Sequence, residues 1–199
     1  MYRKARKEEP YTRKAQREGY PARSVYKLQE MQGQFKLVKK GDKVLDLGAA
    51  PGSWLLYTAR EVGPKGFVLG VDIAPLRINL PSNAVFVQKS VMDMTKQDVF
   101  SYMGHLDAVF SDMAPATSGI KGVDAERSLQ LAFHALTLAK DVLVPGGVFV
   151  CKVLEGEGFE EFLSTVQESF LQVRRVRPKA TTKESRELYV VAQGFKKES

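Results

Sequence analysis

Short apolar runs alternate with helical patterns along most of this chain, and this alternation restricts its possible folds more than any other feature. Each run has the four to seven residues of a buried strand, and most neighbouring runs are separated by helical spacing. The predicted strands are Lys43–Leu47, Gly66–Val71, Ala84–Gln88, Leu106–Ser111, Val148–Leu154, Val173–Val176 and Leu188–Gln193. Such alternation predicts an α/β fold with a doubly wound, mostly parallel sheet of seven strands.

Apolar spacing and turn residues set the bounds of five predicted helices. These are Ser24–Phe35, Ser53–Val62, Lys96–Met103, Asp124–Leu143 and Gly158–Phe170. Proline and glycine follow two of them, at Gly63 and at Pro145. Ligands of doubly wound sheets bind outside the carboxyl ends of the strands, so the polar residues at those ends are the candidates for function.

Positive charge is concentrated at the amino terminus. The chain has a formal net charge of +7, and its first 40 residues hold 12 Lys and Arg against four Glu, a net of +8. A basic arm on a nearly neutral body predicts a polyanionic partner such as RNA, although a solvated tail can have the same composition. We expect a basic arm over residues 1–22, one α/β domain over 23–195 and a tail over 196–199.

The rest of the composition narrows the cellular setting. No apolar run reaches the roughly 20 residues of a membrane span, and the charged amino terminus lacks the apolar segment of a secretory signal. A single cysteine, Cys151, excludes an internal disulfide, and His105 and His134 lack the spacing of metal ligands. We therefore expect a cytoplasmic monomer with no bound metal and no membrane partner.

A loop containing glycine follows the first predicted strand, where a nucleotide cofactor would bind. The stretch Asp46–Trp54 reads DLGAAPGSW, and Gly48 and Gly52 allow the backbone to approach a ligand closely. Its spacing differs from the G-x-G-x-x-G of nicotinamide dinucleotide sites. A tight strand–helix turn without any ligand would also use glycine here.

Polar residues after the second and third strands are candidates for holding a nucleoside. Asp72 ends the second strand, where a carboxylate can bind ribose hydroxyls, although a helix cap or a turn would also use an aspartate. Ser90 and Asp93 follow the third strand. They could hydrogen-bond an adenine edge, or they could serve as a loop serine and a helix cap.

A lysine inside the fifth predicted strand is the least expected residue of the sequence. Lys152 stands in the apolar run VFVCKVL, and a buried ammonium is costly unless it is paired or deprotonated. Asp112 ends the neighbouring strand, so its carboxylate can pair with the lysine. Taken alone, Asp112 could be a cap and Lys152 a strand-end lysine that extends to water. Cys151 points away from Lys152 in an extended strand, so we expect it in the core.

Five motifs together resemble those of the FtsJ-like family of RNA 2'-O-ribose methyltransferases. The loop Asp46–Trp54 is similar to the family's S-adenosylmethionine loop, and the other four motifs follow in the family's order. They are Arg23–Leu28, Ser111–Pro115, Phe149–Lys152 and Ser185–Tyr189. The resemblance covers about residues 10–195. Many members carry an acidic residue just after the third strand, where this chain has Ser90.

The resemblance implies a Rossmann-like class I methyltransferase fold, with S-adenosylmethionine as methyl donor and S-adenosylhomocysteine as product. It also implies a catalytic tetrad, which here consists of Lys27, Asp112, Lys152 and Glu187. Lys152 would act on the ribose 2'-oxygen, as a neutral base or as a cation that stabilises the developing alkoxide. The expected cofactor-binding residues are Gly48, Pro51, Gly52, Ser53, Trp54, Asp72, Ser90, Asp93 and Asp112. Trp54 could equally belong to the core.

Basic residues of the arm and of a carboxyl-terminal cluster would neutralise RNA phosphates. The expected RNA-binding residues are Arg3, Lys4, Arg6, Lys7, Arg13, Lys14, Arg17, Arg23, Arg174, Arg175 and Lys179. Tyr11, Tyr20 and Tyr26 could stack on unpaired bases, or Tyr26 could pack beneath the first helix.

The resemblance is closest to bacterial-type enzymes of the large ribosomal subunit, which implies a uridine in the A-loop of 23S-type ribosomal RNA as the target. Methylation of a transfer RNA anticodon loop is an alternative, and so is a ribosome-assembly factor whose catalysis is dispensable. A small-molecule methyltransferase would leave the basic arm unexplained. Methylation of a base amine is disfavoured, because Asp112–Pro115 (DMAP) lacks the second proline and the aromatic residue typical of that chemistry.

Overall fold

The sheet expected from the sequence is present in the computed structural model, which describes residues 10–182 and 184–196. Its strands are β1 (Lys43–Leu47), β2 (Phe67–Asp72), β3 (Ala84–Gln88), β4 (Leu106–Ser111), β5 (Leu143–Leu154), β6 (Phe170–Val176) and β7 (Glu187–Phe195). They form one sheet in the order β3-β2-β1-β4-β5-β7-β6. Strands β1 to β5 run parallel, and β7 lies antiparallel to β5 and β6. The predicted mostly parallel, seven-stranded sheet is therefore confirmed.

Six α-helices connect or flank the strands of the described chain. They are α1 (Pro10–Arg17), α2 (Val25–Phe35), α3 (Ser53–Val62), α4 (Lys96–Tyr102), α5 (Lys121–Val142) and α6 (Phe159–Ser169). The main difference from the prediction is that β5 begins at Leu143, which pairs with Leu106 before an irregularity in the strand pairing. No helix in the described ranges has both the length and the apolarity needed to cross a bilayer.

Alternate residues of β5 face opposite sides of the sheet, and this alternation sets the direction of Lys152. Phe149, Cys151 and Val153 belong to the core on the side of α5 and α6. Val150 belongs to the core on the side of α2 and α3. Lys152 therefore faces α2 and α3. Cys151 is fully buried as expected, and burial raises the pKa of its thiol to about 12.

The described part of the predicted arm packs against the domain. Ala15, Tyr20 and Tyr26 form a small apolar cluster with Ala180, next to Leu56 of α3. The arm's other predicted RNA-binding residues, Arg3, Lys4, Arg6 and Lys7, lie outside the described residues. Residues 10–22 are thus joined to the body by packing, and the arm predicted over 1–22 is not separate along its whole length.

Hydrogen bonds attach the end of this segment to the start of α3. The hydroxyl of Ser53 accepts a bond from the Ala22 amide (2.7 Å) and donates one to the Ala22 carbonyl (3.0 Å). The indole Nε1 of Trp54 donates to the carbonyl of Ser24 at 3.0 Å. The first turn of α3, directly after the glycine loop, therefore holds the amino-terminal segment in place.

We predict that Ser53→Ala loosens residues 10–22. The substitution removes both bonds to Ala22, each worth about 1 kcal/mol, so trypsin should cleave faster after Arg13, Lys14 and Arg17. Mass spectrometry of timed digests measures this rate. The matched control is Ser169→Ala, because Ser169 is a buried serine whose hydroxyl bonds only within α6. Equal cleavage rates in the two variants would contradict the prediction.

Candidate active site

An ion pair connects the carboxyl ends of the two central strands β4 and β5. Asp112 follows β4, and Lys152 lies in β5 beside it, since Ser111 pairs with Cys151. The Lys152 Nζ lies 3.1 Å from Asp112 Oδ1 and donates a hydrogen bond to the Asp112 carbonyl at 2.5 Å. Both side chains are largely buried, Lys152 at 7% exposure and Asp112 at 16%. The structure thus brings together the two residues that the strand ends had indicated.

A second ion pair joins α2 to the start of β7. The Nζ of Lys27 lies 2.8 Å from Oε2 of Glu187 and donates a hydrogen bond to it. Burial acts to raise the pKa of Glu187, but the hydrogen bond from Lys27 and the charges of Lys27 and Lys152 outweigh it and lower the pKa. Glu187 is therefore a stable carboxylate. The two ion pairs form one charge cluster, because Tyr189 donates to Asp112 and its ring lies 5.6 Å from the Nζ of Lys27.

Tyr189 is a member of this cluster that the sequence analysis missed. Its hydroxyl donates to Asp112 Oδ1 at 2.6 Å, and its ring lies 5.6 Å from the Nζ of Lys27. The ring is fully buried and stacks on Trp54. Burial, followed by the charge of Asp112, raises the pKa of Tyr189 well above its usual value, so the hydroxyl stays a donor. Its position two residues after Glu187, on the same face of a strand, was the available signal.

Asp46 lies beneath the cluster at full burial. No described residue forms a hydrogen bond with either of its carboxylate oxygens. Burial raises the pKa of Asp46 well above its ordinary value, and the negative charges of Asp112 and Asp72 add to the effect. From the sequence, Asp46 was identified only as the first residue of the stretch Asp46–Trp54. Its lack of a hydrogen-bond partner was not predictable, because no local pattern distinguishes a buried unpaired aspartate from a paired one.

A cavity of about 230 Å³ lies at the carboxyl ends of the strands, and Met113, the residue after Asp112, is part of its lining. Its lining consists of Gly48, Asp72, Ile73, Ser90, Val91, Met92, Met113, Ala114 and Leu131. At Gly48 the φ angle is +80°, and a Cβ would come within 2.9 Å of Met113, so a larger residue would not fit. Asp72 accepts hydrogen bonds from the amides of Ala50 and Ala74. The carboxylate of Asp72 therefore holds the glycine loop against the end of β2.

Two exposed apolar side chains at this cavity were missed by sequence reasoning. Ile73 is 70% exposed and Met92 is 51% exposed. Both line the cavity together with Ser90, and a flat apolar ring bound there would cover them. The sequence did hold a sign of Ile73: an isoleucine directly after Asp72, where a loop leaves the sheet, is an apolar residue at a position where an exposed polar one is expected.

Three of the predicted cofactor-binding residues line this cavity, and Asp112 lies next to it. The three are Gly48, Asp72 and Ser90. The Ser90 hydroxyl also accepts a hydrogen bond from the amide of Met92, so it has a local capping role. Asp112 adjoins the cavity through its neighbour Met113.

The other five predicted cofactor-binding residues lie outside the lining of this cavity. They are Pro51, Gly52, Ser53, Trp54 and Asp93. A Cβ on Gly52 would come within 2.2 Å of Ile78, so this glycine packs against the β2–β3 loop. Ser53 and Trp54 are buried and bonded to the segment before α2. Asp93 is exposed on a single 3₁₀ turn.

The described basic residues predicted to bind RNA lie mainly on two surfaces. Arg13, Lys14 and Arg17 are exposed on α1, and Arg174, Arg175 and Lys179 are exposed on β6 and the loop after it. Arg23 is half-buried before α2. Arg175 pairs with Glu160 at 2.7 Å, and the Arg174 guanidinium lies 5.7 Å from the Phe35 ring. Exposed ion pairs of this kind are weak enough to exchange for phosphate contacts.

The prediction that Tyr20 and Tyr26 stack on unpaired bases is wrong, because both rings are buried. Tyr20 packs against Tyr57, and Arg60 covers its ring at 4.7 Å. The Tyr26 hydroxyl donates to Glu18 at 3.0 Å. Tyr11 is 43% exposed and contacts the ring of Tyr26, so it alone of the three offers an accessible face.

The two histidines have structural contacts. A ring nitrogen of His134 lies 2.8 Å from the carbonyl of Val91, and His105 packs edge-on against Phe100. Within residues 10–182 and 184–196, no three His, Cys, Asp or Glu side chains are grouped as metal ligands.

We predict that Asp46 makes the stability of the protein depend on pH. Its raised pKa means that the folded state keeps this proton to higher pH than the unfolded state, whose ordinary value is 3.8. Stability is therefore full below that value and falls as the pH rises towards the folded pKa. An asparagine side chain does not ionise, so the Asp46→Asn variant does not lose this stability. In urea denaturation, its free energy of unfolding should therefore rise relative to that of the wild type as the pH increases above about 4.

The matched control is Asp141→Asn, which removes an exposed carboxylate on α5. This variant should run parallel to the wild type over the same pH range. A parallel curve for Asp46→Asn as well would contradict the assignment of a buried, protonated carboxyl.

The family model and the curated relatives that match this chain all describe methyltransferases. A family model described as FtsJ-like methyltransferase matches residues 20–195. A curated relative from Desulfatibacillum aliphaticivorans is 48% identical over 181 residues, covering 91% of this chain and 87% of the relative. Another from Desulfosudis oleivorans is 46% identical over 190 residues, covering 95% and 91%. Both relatives are named "Ribosomal RNA large subunit methyltransferase E".

A solved structure shares the fold at lower identity. The crystal structure of a Plasmodium falciparum protein named as a ribosomal RNA methyltransferase superposes with a TM-score of 0.74. It is 24% identical, and the match covers 88% of this chain and 98% of that chain. At this identity the likeness shows the fold alone.

Proposed function

Because the chain belongs to the FtsJ-like methyltransferase family, we propose that it transfers a methyl group from S-adenosylmethionine to a ribose 2'-oxygen of RNA. The observation that carries this proposal is the Lys152–Asp112 pair, which is largely buried at the strand ends, where Met113, the residue after Asp112, lines the cavity. The resemblance predicted Lys27, Asp112, Lys152 and Glu187 as one tetrad. Their grouping in space supports that assignment.

The cavity suits a nucleoside bound to the chain's own residues. Asp72 keeps lone pairs that can accept the two ribose hydroxyls, although each of its oxygens already accepts one amide. Ile73 and Met92 would cover the faces of an adenine ring, with Ser90 near its edge. Bound S-adenosylmethionine would supply an activated methyl group, and Gly48 leaves room for it close to the backbone.

Lys152 is the residue proposed to act on the 2'-oxygen. An ammonium has three N–H donors, and two of them point to the carbonyl and the carboxylate of Asp112. The third is available to an incoming hydroxyl. In the cationic role, Lys152 would stabilise negative charge on the 2'-oxygen while the hydroxyl proton passes to solvent water.

The other residues of the cluster would position the reacting groups. Asp112 orients Lys152, and Tyr189 donates a hydrogen bond to the same carboxylate oxygen of Asp112. Glu187 accepts a hydrogen bond from Lys27 at Oε2, and the Ser185 side chain also hydrogen-bonds to it. A carboxylate has further lone pairs, so Glu187 can still accept a ribose hydroxyl. Correct placement of two reacting groups supplies a large share of the rate in reactions of this type.

We further propose that the RNA is ribosomal, and that the site is a uridine in the A-loop of the large subunit. The names of the relatives that are 48% and 46% identical support a large-subunit RNA. The exposed cations of α1 and of the loop after β6 support an RNA partner, whether ribosomal RNA or transfer RNA. A cytoplasmic, monomeric enzyme is consistent with this role.

The mapping experiment uses labelled S-adenosylmethionine with large ribosomal subunits, free ribosomal RNA and transfer RNA. We predict one ribose methyl group in the large-subunit RNA, detected as a linkage resistant to alkaline cleavage. Label in the transfer RNA anticodon loop would replace the proposed target. Label on a base, or none in any RNA, would contradict ribose methylation.

A lysine variant tests the assigned role of Lys152. Lys152→Ala should lower the single-turnover rate by about 10² to 10⁴-fold, the range for loss of a group acting on the reacting oxygen. Binding of S-adenosylhomocysteine should persist in calorimetry, because Lys152 does not line the cavity. The control is Lys140→Ala, an exposed lysine on α5. A rate for Lys152→Ala within threefold of the control would remove Lys152 from the mechanism.

A further inference from the structure

A second pocket, of about 550 Å³, adjoins the end of the glycine loop, where Leu76 and Ile78 of its lining pack at Gly52. It is lined by Gly19, Leu56, Leu76, Arg77, Ile78 and Asn79. These residues come from the turn after α1, from α3 and from the β2–β3 loop, and none of them lines the cofactor cavity. The Ile78 side chain that forms part of it also packs over Gly52. The pocket is therefore a separate feature that adjoins the end of the glycine loop.

The chemistry of the pocket suits a flat ring with a polar edge. Leu56, Leu76 and Ile78 are half-buried and form an apolar surface, whereas Arg77 and Asn79 are exposed at its margin. No described residue forms a hydrogen bond or an ion pair with the side chain of Arg77 or Asn79. A guanidinium and an amide can each make paired hydrogen bonds to the edge of a base, and apolar side chains can cover its face.

The charge around the pocket favours a polyanionic ligand. Arg60 lies over the ring of Tyr20, beside the turn at Gly19. A Cβ placed on Gly19 would lie 4.0 Å from the Arg60 guanidinium. The basic surface of α1, with Arg17 at its end, leads into the same turn. A nucleotide placed here would therefore continue along the cations already proposed to contact phosphates.

The pocket also lies within reach of the proposed reacting centre. Gly19 precedes Lys27 by eight residues, so the two cannot be more than about 28 Å apart. The segment between them is fixed to α3 by the bonds of Ala22 and Ser24. An RNA strand with a ribose at Lys27 and Lys152 can place a base a few nucleotides away in the pocket.

We propose that this pocket binds one unpaired base of the RNA substrate, a few nucleotides from the methylated ribose. Arg77 and Asn79 bind its edge, and Leu56, Leu76 and Ile78 contact its face. This inference rests on the proposed function, since it takes RNA as the substrate. It also gives the enzyme a means of selecting its site without reading the base of the methylated nucleotide.

The test is a double-mutant cycle in equilibrium binding. The RNAs form a series, in which each fragment carries a single abasic position at one of the nucleotides within a few positions of the methylated one. The affinity of each fragment is measured for the wild type, Arg77→Ala and Asn79→Ala. At one flanking position we expect the abasic RNA to bind the wild type about tenfold more weakly. For that RNA, Arg77→Ala and Asn79→Ala should cause little further loss, whereas each should weaken binding of the intact RNA several-fold.

The matched control is Lys65→Ala. It removes an exposed cation from the turn before β2, at the amino-terminal ends of the parallel strands. Its effect should be the same for intact and abasic RNA. If the losses from Arg77→Ala and from every abasic position simply multiply, or if Arg77→Ala behaves as Lys65→Ala does, the pocket does not bind a base. Both measurements report binding, whereas the mapping experiment reports methyl transfer, so a failure of the pocket is distinguished from a failure of the proposed chemistry.

Discussion

The whole site depends on how the protein accommodates a lysine inside its sheet. An unpaired ammonium at 7% exposure would cost several kcal/mol, and the carboxylate and carbonyl of Asp112 offset this cost at 3.1 and 2.5 Å. The pairing requires β4 and β5 to be parallel neighbours that end at the same edge, as the sheet order provides. A fold with these two strands apart would leave Lys152 unpaired.

The antiparallel strand β7 extends this arrangement to the amino-terminal segment. Tyr189 pairs with Lys152 across the strands and donates to Asp112, and Glu187 lies two residues earlier at the strand's start. Lys27 then connects α2 to Glu187. The segment that carries basic residues is thus attached to the reacting centre by a buried ion pair, and to the glycine loop through α3. The segment with the exposed cations of α1, the glycine loop and the charge cluster are therefore connected by hydrogen bonds and ion pairs.

The strands and the meeting of Asp112 with Lys152 were predictable, because hydrophobic alternation determines which strand ends share an edge. The Lys27–Glu187 pair was expected only from the resemblance, since 160 residues separate its partners and no local pattern relates them. Trp54 illustrates the limit of a motif: its position after the glycines allowed either a cofactor contact or a place in the core, and the ring is buried and stacks on Tyr189. Burial of Tyr20 likewise depends on tertiary contacts that a charge pattern does not contain.

The central claim is that the reacting atom is a ribose 2'-oxygen held at Lys152. It is tested most directly with a large-subunit RNA in which only the mapped target nucleotide carries 2'-deoxyribose. We predict that this RNA binds only a few-fold more weakly, through loss of the hydrogen bonds to the 2'-hydroxyl, and accepts no methyl group from bound donor in a single turnover. Methyl transfer to the same nucleotide of the deoxy RNA would contradict the account, because it would place the accepting atom on the base.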